Sequence, residues 1–225
     1  MRKYSEVSAI VLTMIVLLVM APVCYMQSGV LDPGFGAGGV ALPGLYAFEY
    51  SGVAVTLQTD GNILLGCHDA ANTNHYIVRF NSDGTLDTGF GTGGFAFAGV
   101  YGHAQADVDV AVQADGKILL ASQNRTINNH YIARFNTDGT LDTGFGVSGF
   151  AYTGIYGPVP SNVCVAVLTD GKILLSSYYN NASPPSGFYV ARFNSDGTLD
   201  TGFGTAGYAY TGLPSDIDAN VCVTL

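Results

Sequence analysis

The sequence predicts an all-β fold, a β-propeller-like array of four-stranded antiparallel blades, on three observations. Thirty glycines, fourteen tyrosines and twelve phenylalanines in 225 residues favour many short strands joined by tight turns. Two segments recur in tandem with a period near 55 residues. After residue 28 no stretch keeps helical periodicity with caps. A β-solenoid is the alternative, weakened because its coils are normally shorter than this period.

The repeat gives the elements in order. Arg79-Phe-Asn-Ser-Asp-Gly-Thr-Leu-Asp-Thr-Gly-Phe-Gly91 returns from Arg134 and from Arg192, and Val53-Ala-Val-Thr-Leu57 begins a run that returns from Val108 and Val163. Leu31 to Gly39 is an incomplete first copy, and Val221 to Leu225 repeats the start of the valine run. Each unit reads as four strands, in the second copy Gly94–Ala98, Val108–Gln113, Lys117–Ala121 and His130–Phe135. Asp115-Gly116 is expected to be a two-residue type I′ turn, with positive φ at both residues. The units span about 40–94, 95–149 and 150–207, with a partial unit at 208–225. Open end faces on such an array are expected to promote self-association through the blade edges.

Composition excludes several classes. The chain is 11% charged, which argues against a charged disordered polymer or a long coiled coil. Its net charge of −9 argues against a nucleic-acid binder, which needs a basic stripe facing phosphates. Asp provides fifteen of the seventeen acids, and ten of these stand in Asp-Gly or Leu-Asp pairs. Most of the negative charge is therefore turn chemistry.

Arg2 and Lys3 precede an apolar run from Ile10 to Met20, the pattern of a secretory signal. Residues 1–28 are expected to be a signal peptide or an uncleaved anchor, the latter being the one expected membrane contact, and residues 29–225 the repeat domain. Pro22 follows the Val19-Met20-Ala21 cleavage site and obstructs it; lipid attachment at Cys24 is a third route. Each route exports the remainder, to the periplasm, the cell surface or the medium. Cys67, Cys164 and Cys222, an odd set without zinc spacing, suggest no disulfide framework. Cys164 and Cys222 share one repeat position between valines and read as small buried apolar residues.

The alternation of NSDGTLDTGFGTGG with VQADGKILLAS resembles the delta-60 repeat family, bacterial tandem repeats regarded as β-propeller-like. The resemblance covers residues 29 to 225. It implies a propeller-like fold and an envelope or extracellular setting; it implies no activity and no catalytic residues.

Candidate sites are few. Asn81, Asp83 and Asp87, with their copies Asn136, Asp138, Asp142 and Asn194, Asp196, Asp200, space oxygen ligands somewhat like a calcium loop. They lack the terminal bidentate Glu, so the structural turn is the favoured reading and no cofactor is expected. Arg79, Arg134 and Arg192 stand across the same hairpins from Asp87, Asp142 and Asp200, ready to form repeated ion pairs. His75 and His130 are replaced by Phe188 in the third copy, as suits amphipathic strand residues.

One end of the array carries connections that differ between copies. Its Tyr46, Tyr50, His68, Tyr101, His103, Tyr156, Tyr178 and Tyr179 form the candidate binding face for a protein or glycan. The expected function is an exported, non-enzymatic binding or structural module. The rival is a secreted propeller hydrolase or lyase using the same face, though no catalytic constellation singles itself out.

Overall fold

The computed structural model describes residues 30–44, 52–69, 74–102, 107–156, 162–179, 187–212 and 222, Tyr101 by its backbone alone. Residues 33–225 make one compact unit; of residues 1–32 only Val30, Leu31 and Asp32 are described. The expected leader therefore lies outside the described residues. Among those described there is no helix.

Twelve strands form three four-stranded antiparallel sheets. The first holds β1 (Ala54–Leu57), β2 (Ile63–Asp69), β3 (Asn74–Phe80) and β4 (Phe95–Tyr101), in that order. The second holds β5 (Asp109–Val112), β6 (Ile118–Asn124), β7 (Asn129–Phe135) and β8 (Phe150–Tyr156). The third holds β9 (Val163–Val167), β10 (Ile173–Tyr179), β11 (Gly187–Phe193) and β12 (Tyr208–Tyr210).

The sheets are offset by one strand from the repeat units drawn on the sequence. The strand after each Gly-rich segment closes the preceding sheet: β4 pairs with β3 and β8 with β7. Periodicity fixes the length of a repeat but not its phase.

The hairpins also differ from the type I′ expectation. Gly116 N donates to Gln113 O and Gln113 N to Lys117 O, leaving a three-residue loop, Ala114-Asp115-Gly116. Only the glycine has positive φ, 82°, the arrangement of a type I turn followed by a glycine bulge. The Asp115 carboxylate, accepting from Lys117 N at 3.1 Å, fixes the turn without leaving the ordinary backbone region.

The core lies between sheets. Alternate residues of β6 face opposite ways, so each side of the middle sheet meets a different neighbour. Ile118 and Leu120 pack with Leu64, Ile77 and Val110, whereas Leu119 and Ala121 pack with Val165, Ile173, Leu175 and Ala191. This explains why the middle strands read as continuous apolar runs. Each such side chain, fully buried, stabilises by roughly 1.5–3 kcal/mol.

Two repeated devices join sheet to sheet. At one end the Phe-Gly pair closing one repeat sits on the Asp-Gly turn of the next. Gly36 N donates to Asp83 O at 2.7 Å, Gly91 N to Asp138 O at 2.7 Å, and Gly146 N to Asp196 O at 2.8 Å. Phe90 and Phe145 are fully buried there. A Cβ on Gly139 would lie 2.6 Å from Gly91 N and 2.9 Å from the Phe90 ring.

The expected ion pairs form beside this contact. Arg79 meets Asp87 at 2.7 Å, and Arg134 and Arg192 meet Asp142 and Asp200 at 2.8 Å. Each guanidinium also lies 4.4–4.5 Å from a phenylalanine ring centroid, Phe90, Phe145 or Phe203. Arg79 donates onward to Thr137 O of the next sheet at 2.8 Å.

The second device corrects the reading of His75 and His130 as amphipathic strand residues. Both are wholly buried and cross from one sheet to the next. Ser122 Oγ donates its single proton to Asp107 O at 2.8 Å, so His75 Nε2–H must be the donor to Ser122 Oγ, at 3.1 Å. His75 Nδ1 is then the acceptor for the Tyr131 hydroxyl, at 2.9 Å. In the next interface His130 lies between Ser177 at 3.0 Å and Tyr189 at 2.8 Å, while Ser177 donates to Asn162 O at 2.7 Å. The Tyr189 hydroxyl also reaches Thr153 Oγ1, at 3.2 Å. Burial lowers the His130 pKa to about 3.

Two outcomes test these devices. Gly116 and Gly139 both hold positive φ, but a Cβ on Gly116 meets nothing nearer than a Thr137 methyl at 3.0 Å. Gly116→Ala should cost about 1 kcal/mol and Gly139→Ala on the order of 3, lowering Tm by about 2–4 °C per kcal/mol. Equal losses of Tm would show that the contact between repeats is not constraining.

His130→Phe, which copies Phe188 of the third sheet, removes the imidazole's bonds to Ser177 and Tyr189, leaving the Tyr189 hydroxyl with Thr153 Oγ1, and should cost about 2 kcal/mol at pH 7. Because the folded-state pKa is depressed, the unfolded chain binds more protons between about pH 6.5 and 3, so this histidine's contribution is lost as pH falls. The gap between the wild-type and variant unfolding free energies should therefore narrow below pH 6, by about 1 kcal/mol per pH unit. A gap that is constant from pH 7 to pH 4 would refute the neutral buried histidine.

Candidate binding site at the axial mouth

Strands β1, β5 and β9 are the first strands of their sheets and lie side by side about a common axis. Their amino-terminal ends surround a cleft of about 570 Å³, lined by residues that include Gly52, Val53, Asp107, Asp109, Asn162 and Cys164. Antiparallel pairing puts the ends of β2, β4, β6, β8 and β10 and the starts of β3, β7 and β11 at this same end. The repeated Phe-Gly contacts occupy the other. The cleft thus opens at the end whose connections differ between copies.

Two carboxylates tie the inner strands together. Asp109 Oδ2 accepts from Val165 N at 2.7 Å, across to β9, and Oδ1 from Val110 N at 2.9 Å. Asp107 reaches back to the Gly52 amide. Burial raises both acids above the ordinary carboxylate range, and these amide hydrogen bonds offset part of the rise. Ser122 and Ser177, which bond to the buried histidines, grip the carbonyls of Asp107 and Asn162. The rim of the cleft is therefore anchored to the sheet interfaces.

Cys164 and Cys222 are joined by a disulfide, with Cα atoms 5.1 Å apart. This overturns their reading as two separate small apolar residues. Equal repeat positions become neighbours round the axis, so 58 residues of sequence close to a single bond. The shared repeat position was itself the available signal. Cys67 is the free, buried cysteine among the described residues.

The expected binding face is redistributed. His68, Tyr178 and Tyr179 belong to β2 and β10 rather than to loops, and all three are buried. The His68 ring packs edge-on to His75, with centroids 5.1 Å apart. Tyr156, at the end of β8, is 63% exposed and remains on the face. Tyr101 ends β4. Tyr46, Tyr50 and His103 lie outside the described residues.

In the calcium-like segments one carboxylate oxygen of each first aspartate is bonded within the turn. Asp83 Oδ1 accepts from Thr85 N and Oγ1 at 2.9 and 2.6 Å, and Asp138 and Asp196 bind Thr140 and Thr198 in the same way. These contacts hold the three carboxyls below their usual range. Asn81, Asn136 and Asn194 donate to the same threonine hydroxyls. Asp87, Asp142 and Asp200 face their arginines, the last two also Lys117 and Lys172.

No curated protein matches the chain in sequence. Solved structures of similar fold include a protein of unknown function from Dyadobacter fermentans, 17% identical with a TM-score of 0.44 over 69% of this chain. The match spans 40% of that protein's length. A fucose lectin from Kordia zhangzhouensis is 15% identical, with a TM-score of 0.43 over 73% of this chain and 100% of its own. An exo-β-1,3-galactanase from Clostridium thermocellum is 15% identical, with a TM-score of 0.40 over 65% of this chain and 34% of its own. In sequence, residues 58–90, 113–145 and 168–203, one segment from each sheet, match a β-propeller domain of unknown function, DUF5122.

Proposed function

We propose that this chain is an exported, non-enzymatic binding scaffold of the delta-60 type, taking a protein or glycan ligand at the axial mouth. The difference between its two ends carries the reading. At one end the Phe-Gly contact, the Arg–Asp pair and the Asp-Gly turn recur with nearly the same distances in every copy. At the other, equivalent positions that line the cleft differ: Gly52, Asp107 and Asn162 are one such set, and Ala54, Asp109 and Cys164 another. A rigid frame presenting unlike side chains round a cleft suits recognition. Export rests on Arg2, Lys3 and the apolar run that follows.

The full chain should retain a ligand from glycan and protein arrays. Tyr156→Ala, exposed on the outer strand β8 at the same end as the cleft, should weaken that binding about tenfold or more. Val147→Ser, an exposed substitution at the opposite end, should leave it unchanged. Loss with Val147→Ser but not with Tyr156→Ala would move the site to the wrong end, and silence on both arrays would remove the proposal. For export, a reporter fused behind residues 1–28 should leave the cytoplasm; its retention there would refute that part.

A further inference from the structure

Four residues share one position of the repeat: Ala54, Asp109 and Cys164 on the inner strands, and Cys222, at steps of 55, 55 and 58. Their neighbours do not vary, with valine before each (Val53, Val108, Val163, Val221) and after each (Val55, Val110, Val165, Val223). Of these three successive positions only the middle one changes its chemistry between copies. Across the cleft the two cysteine sulfurs and a carboxylate oxygen of Asp109 all lie within 4.8 Å of one another. Cys164 is buried, Asp109 half-buried and Cys222 exposed, so the group has an open side. The Asp109 carboxylate is held in place by Val110 N and Val165 N, yet each of its oxygens has a second lone pair to offer. Two thiolates, one oriented carboxylate and an open position are the donor set that a thiophilic, tetrahedral divalent ion selects.

We propose that reduction of the Cys164–Cys222 disulfide turns this rung into a Zn²⁺ site. A dithiol reductant supplies two electrons and two protons, becoming a disulfide itself while Cys164 and Cys222 become thiols. Zn²⁺ then displaces both thiol protons to solvent and forms two Zn–S bonds and one Zn–O bond to Asp109. Water takes the fourth position. In the oxidised chain neither sulfur is a thiolate, so the same rung holds no zinc.

The test uses the full chain, with Co²⁺ as a spectroscopic substitute for Zn²⁺, after reduction by a phosphine that is then removed. The reduced protein should bind one Co²⁺ with a thiolate-to-cobalt charge-transfer band that Zn²⁺ abolishes, and the oxidised protein should show none. Cys164→Ser should lose the band, Asp109→Asn should weaken binding about tenfold or more, and Cys67→Ser should change nothing. The comparison of oxidised with reduced wild type stands even where a variant fails to fold. Absence of the band in reduced wild type, its survival in Cys164→Ser, or wild-type affinity in Asp109→Asn would each overturn the proposal.

Discussion

The fold depends on how one sheet is held against the next. A single four-stranded sheet of this composition is apolar on both faces and has no reason to be stable alone. The Phe-Gly segment of each repeat reaches the Asp-Gly turn of its successor, and glycine is required on both sides of that approach. Gly91 bonds to Asp138 O, and Gly139 leaves room for Gly91 and Phe90. The arginine beside it pairs with the Leu-Asp carboxylate and covers the phenylalanine ring. This one contact combines register, burial and charge. It also accounts for the near-identity of the segment in its three copies.

At the other end the buried histidines carry the corresponding load with different chemistry. Each satisfies a tyrosine hydroxyl and a serine hydroxyl of the next sheet, polar groups that would be costly to bury alone. Because the serines also hold Asp107 and Asn162 by their carbonyls, packing between sheets and the geometry of the axial mouth are coupled. The third sheet has Phe188 in place of the histidine. What looked in sequence like tolerance of an apolar residue is, in the first two interfaces, a specific polar junction.

Much of the architecture was legible because β-structure writes itself into the chain at short range. Alternation in the strands, glycine after aspartate at the turns and the 55-residue period are local signals, and the three four-stranded sheets and six Asp-Gly turns follow them. The pairing of Arg79 with Asp87 was equally readable, since one hairpin carries both. The phase of the repeat was not, because a periodic string has no marked beginning. Nor was the turn type, which Asp115 decides by bonding to Lys117 N while keeping an ordinary φ.

The site was legible only as a region. The sequence by itself determined the strands, the turns, the ion pairs and which end of each sheet carries unlike connections, because these depend on residues close together in the chain. Only tertiary structure decided that His68, Tyr178 and Tyr179 are buried, that His75 and His130 bridge sheets, and that Cys164 bonds to Cys222. The physical reason is the stacking of sheets about an axis. It makes neighbours of residues some 55 positions apart, and it buries both faces of strands that look, one at a time, as though one face should meet water.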